Sequence, residues 1–60
     1  MQSKIFTGNG YSPLAAELAV DTLIEMFLKR SNVMVLSVQV IYRSVIGSIF
    51  YCQKEVKYEN

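Results

Sequence analysis

Apolar residues recur at helical spacing through one stretch of the chain and at alternating positions through the next. Ala16, Val20, Leu23 and Phe27 follow i, i+4, i+7, i+11 and are flanked by Ala19, Ile24 and Met26. At about 100° per residue these side chains fall on one side of a helix and predict its buried stripe. Ser12-Pro13 supplies the start, as an N-cap hydroxyl followed by a proline whose fixed φ and missing N–H are harmless in a first turn. The helix is expected from Pro13 to about Arg30, with Lys29 and Arg30 at the negative end of its dipole. Glu17, Asp21 and Glu25 lie opposite the stripe and read as a solvated face, with Lys29 four residues after Glu25. Leu14, Leu18 and Leu28 project among these acids and suggest a second contact surface.

From Val33 to Tyr58 the period becomes two. Met34, Leu36, Val38, Val40 and Tyr42 form an even apolar set, continued by Phe50, Cys52, Val56 and Tyr58. Ser37, Gln39, Arg43, Gln53, Glu55 and Lys57 occupy odd positions. Opposed residues of a hairpin share a face, so even must meet even and the loop must hold an odd number of residues. A three-residue loop including Gly47 satisfies that rule. A two-residue Gly47-Ser48 loop would set Val40 against Glu55 and Val38 against Lys57, and is excluded on this reasoning. Lys54 breaks the apolar face and is expected at a sheet edge, with its ammonium snorkelling outward.

Ahead of the helix, Ser3 to Thr7 reads as a short strand and Gly8-Asn9-Gly10 as the turn that ends it. The expected fold is therefore α+β, in the order β-α-β-β: one helix on one face of a three-stranded sheet, as a single domain over residues 1–60. The strand order is open, and the fully antiparallel arrangement, with the last strand in the middle, is preferred.

Composition adds a constraint. The chain has sixty residues, one cysteine and no histidine, so neither an intrachain disulfide nor a Cys/His zinc site can supplement a small core. A homo-oligomer, or docking on another protein, is the remaining expectation. A net charge of +1 argues against a nucleic-acid partner held by phosphate neutralisation. The start of the chain does not read as a cleavable signal peptide, and the lone thiol fits a reducing, cytoplasmic setting. One alternative is a membrane peptide, because residues 33–52 carry a single charge, Arg43, and are long enough to span a bilayer. The β-branched density and the central Arg43 weigh against a membrane.

Candidate chemistry is sparse. Gly8-Asn9-Gly10-Tyr11 before a helix N-terminus suggests a small-ligand site between subunits, yet it has neither a third glycine nor a P-loop lysine. No base partner is evident for Ser12 or Ser44, Cys52 is expected buried, and no enzyme or cofactor is predicted. The outer sheet face, expected to hold Val35, Ile41, Val45, Ile49 and Tyr51 with Ser37, Gln39, Arg43 and Lys57, is left uncovered by the single helix. Tyr51 and Arg43 are its expected interface anchors, beside Ile41.

Lys4-Ile5-Phe6, the helix ending Met26-Phe27-Leu28 and the closing Glu55-Val56-Lys57-Tyr58 resemble small β-α-β-β proteins of Gram-positive bacteria and their phages, sporulation-associated ones among them. The element order is also similar to that of dodecins, which bind flavin. This chain has neither the tryptophan that stacks on the flavin nor the longer insert between the last two strands. The expected function is a small oligomeric protein-interaction module, such as a phage- or host-encoded inhibitor or adaptor. It would use either the open sheet face or the Leu14/Leu18 surface. An oligomeric binder of nucleotide-like or flavin-like ligands is the alternative.

Overall fold

The computed structural model describes all residues, 1–60, as β1 (Gln2–Gly10), α1 (Pro13–Ser31), β2 (Met34–Ile46) and β3 (Ile49–Glu59). The three strands form one antiparallel sheet in the order β1-β3-β2, and α1 lies across β1 and β3. The fold is the α+β arrangement expected from the sequence, with the last strand central.

Local chemistry sets each boundary. Ser12 Oγ accepts a hydrogen bond from the Ala15 backbone N–H at 3.1 Å, and Pro13 opens the first turn. Lys29 and Arg30 occupy the last turn, and Asn32 closes the helix in the left-handed region (φ 50°, ψ 49°). β1 does not stop at Thr7. It runs through Gly8-Asn9-Gly10, neither of whose glycines has a positive φ. Their role is close approach: a Cβ at Gly8 would meet the Val20 backbone N and stand 2.6 Å from the Ala16 carbonyl oxygen. A Cβ at Gly10 would stand 2.6 Å from Ala15 Cβ. The missing side chains let the helix backbone rest directly on the strand.

The core is the strip beneath the helix: Ala16, Val20 and Ile24 against Cys52 and Val56. Phe6, Leu28, Phe50 and Tyr58 pack around it. Leu23 and Met26, expected in the stripe, lie on the flank and are more than two-fifths exposed, whereas Leu28 joins the core. At the far end Phe27 bridges Phe6 and Tyr58, with ring centroids 5.4 and 5.2 Å away. Lys4 Nζ stands 5.2 Å from the centre of the Phe27 ring.

The hairpin differs from the expected one in an instructive way. Ile46 pairs with Ile49, so the loop is the two residues Gly47-Ser48. Gly47 has φ 62° and Ser48 a negative φ, as a two-residue turn with glycine first requires. The odd residue demanded by the alternation is found in the strand instead. Pairing shifts between Val40 and Tyr42 and again between Val35 and Ser37, leaving Ile41 and Leu36 as bulges. The first shift restores Val38 opposite Val56 and Val40 opposite Lys54. A bulge thus does the work assigned to a third loop residue.

Candidate interaction surface

The bulges redistribute the side chains of β2. Strand partners share a face, so the register puts Val35, Val38, Val40, Arg43 and Val45 on the helix side, opposite Tyr58, Val56, Lys54, Cys52 and Phe50. Ser37, Gln39, Tyr42, Ser44 and Ile46 go to the outer side, opposite Lys57, Glu55, Gln53, Tyr51 and Ile49. The even apolar set and the mixed outer face expected from strict alternation are therefore both corrected: Val35, Arg43 and Val45 exchange sides with Met34 and Tyr42.

The outer face becomes the more polar of the two. Its cross-strand rows read Ser3-Lys57-Ser37, Ile5-Glu55-Gln39, Thr7-Gln53-Tyr42 and Asn9-Tyr51-Ser44. Gln53 Nε2 donates to Thr7 Oγ1 at 3.1 Å. Such a face can meet water without a second layer.

The helix side of β2 is the reverse: apolar and uncovered. The helix backbone packs on β1 and β3 and meets β2 through the Glu17–Arg43 ion pair, so Val38, Val40 and Val45 stay 40–55% exposed. Across from them rises the helix flank that carries Glu17 and Asp21. Leu14 and Leu18 stand on it, at 67% and 57% exposure. Between helix start and hairpin lies an open trough of about 260 Å³, walled by Pro13, Arg43, Val45 and Phe50 among others.

A charge cluster ties the flank to the strands. Lys54 lies in the central strand and is only 9% exposed, so the expected edge position is wrong. Its ammonium donates to Asp21 Oδ1 at 2.6 Å and to Glu17 Oε2 at 3.1 Å. Arg43 Nη2 approaches Glu17 Oε1 at 3.5 Å. The hydrogen bond to Asp21, outweighing desolvation and joined by Glu17, raises the Lys54 pKa above its ordinary 10.5. Two members of the acidic row are thus engaged with the sheet rather than simply solvated, while Glu25 pairs with exposed Lys29.

The sequence-derived candidates do not converge. Arg43 and Tyr51 occupy opposite sides of the sheet, and Ile41 is a bulge residue 44% exposed. Gly8 is buried beneath the helix and Gly10 lies against Ala15. Asn9 points to the outer face, so the Gly8-Asn9-Gly10 segment forms no ligand turn. Tyr11, the last residue of that candidate ligand site, is 80% exposed. Leu14 and Leu18 stand exposed on the helix beside Glu17, whose carboxylate meets Arg43 of β2. Residues 33–52 form β2, the turn and the start of β3 rather than a membrane helix, and no helix is long and apolar enough to cross a bilayer. Comparison with family models, curated proteins and solved structures finds no match to this chain.

Proposed function

We propose that the chain is a non-catalytic protein-interaction module, of the adaptor or inhibitor kind, whose contact surface is the helix side of β2 with the adjoining Leu14-Leu18 flank. One observation carries the reading: a thirteen-residue strand presents an apolar side to the helix layer, and the helix leaves its Val38, Val40 and Val45 exposed. Exposed apolar patches of this kind, edged by charged groups, mark association sites on small domains. Arg43, moved to this side by the bulge, supplies the charged rim. The single buried thiol, Cys52, fits the reducing cytoplasm in which we place the protein.

Hydroxyl-radical footprinting tests the surface whatever its occupant. The chain is labelled in the extract of cells that express it and again after purification and dilution. Leu14, Leu18, Val38 and Val40 are expected to be protected in the extract and reactive when dilute, with Ile5 and Tyr42 reactive in both. Equal labelling of the four under both conditions, or protection of the outer pair, overturns the reading.

A further inference from the structure

We propose that the occupant of this surface is a second copy of the chain. The copies are related by a twofold axis, so that each Leu14-Leu18 ridge lies along the other's helix side of β2, over Val40 and the trough at Val45. The proposal rests on the interface reading above and adds the identity and arrangement of the partner.

Four observations select a second copy. A twofold contact uses one patch on both partners, so that patch must hold both ridge and trough. Here it does, because the flank with Leu14 and Glu17 overlooks the strand with Arg43 and Val45, and Glu17 and Arg43 mark where the two meet. The charges within the patch also cancel. Lys54 and Arg43 face Glu17 and Asp21, so the cluster brings no unpaired charge into an interface with its own copy.

Size agrees as well. Thirteen strand residues make a strip about 40 Å long, and strand plus helix flank are about 15 Å wide. That footprint, about 600 Å², reaches the lower end of the roughly 600–1,000 Å² per partner of a stable dimer. It is about a seventh of the 4151 Å² that the chain exposes. Finally, the free edge of β2 is interrupted by the Leu36 and Ile41 bulges, which disfavour strand-to-strand pairing and leave the face as the seam.

The test is complementation between two single variants, read as mass by light scattering and folding by circular dichroism. The parent chain is expected at twice 6.8 kDa. Leu14→Lys and Val40→Glu should each weaken association at least about tenfold and run as single chains. Mixed one to one, they should regain the double mass, because each lysine then meets the other chain's glutamate while the second half of the seam stays native. Should Val40→Glu fail to fold, Val45→Glu takes its place at a site already 55% exposed.

A parent that stays single near millimolar concentration overturns the proposal. So does a dimer indifferent to Leu14→Lys, which would be joined by its edge or outer face. A mixture that remains monomeric removes the twofold arrangement. If the purified parent is single while the extract protects Leu14 and Val40, the occupant is another protein and only the second copy is refuted. If neither protection nor dimer appears, the interface reading falls too.

Discussion

Lys54 stands between Cys52 and Val56 on the buried side of the central strand, where alternation calls for an apolar side chain. It is tolerated because Glu17 and Asp21 meet its ammonium, and no buried side-chain polar atom is left without a partner. Both carboxylates keep access to water, at 34% and 48% side-chain exposure, so they rehydrate when the lysine is removed. Lys54→Met is therefore expected to change stability at pH 7 by less than about 1 kcal/mol in urea unfolding. The pH dependence distinguishes the two proteins. The folded chain holds the proton more tightly than the unfolded one, so this stabilisation is complete below the ordinary value of 10.5 and is lost as pH rises through the raised one. Parent and Lys54→Met should diverge above that pH, the parent losing more, whereas parallel curves would contradict the pairing. Gly8 is the second sensitive residue. Gly8→Ala drives a methyl into the backbone of Val20 and Ala16 and should cost about 1–3 kcal/mol by the same measurement. An unchanged midpoint would mean that the helix does not rest on this strand.

At the scale of elements, α1 was legible from Ser12-Pro13 and its four-residue spacing, because a cap and an amphipathic stripe are both local signals. The strands were legible as strands, but their facing was not. Two apolar doublets, Val35-Leu36 and Val40-Ile41, interrupt the alternation, and polar residues move from odd Ser37 and Gln39 to even Ser44. That change of phase is the mark of a bulge, and strict parity converts it into a false loop length. It also put Arg43 beside Tyr51, which the folded chain separates. The glycines of β1 were misread for a related reason: a glycine needed for close packing looks, in sequence, like one needed for a turn. Gly47 is the true turn glycine. A Cβ there meets nothing within 4 Å, so the cost of Gly47→Ala is conformational, about 1–2 kcal/mol in thermal melts. No loss would contradict its left-handed backbone. Deleting Ile41 removes the phase correction between the turn and Val38-Val40. Cooperative melting is expected to disappear, and a deletion that melts like the parent would show that the bulge is dispensable.

For the whole molecule, the order of strands decides which surface is incomplete. With β3 central, one helix covers two strands and leaves the third bare on the helix side, while the outer face is made polar by Ser37, Gln39, Ser44, Gln53 and Thr7. Sixty residues with one cysteine and no histidine raise the expectation of reinforcement by a partner surface. The location of the bare apolar face was hidden, because it depends on a strand order and two bulges that arise only from long-range pairing. The central claim is that a second copy lies on the helix side of β2. Its most direct test is an isotope-filtered NOE experiment on a sample mixed from labelled and unlabelled chains. The account predicts intermolecular cross-peaks between the methyls of Leu14 and Leu18 and those of Val40 and Val45. Cross-peaks confined to outer-face residues such as Ile5 and Ile46, or none at a concentration near millimolar, would contradict it.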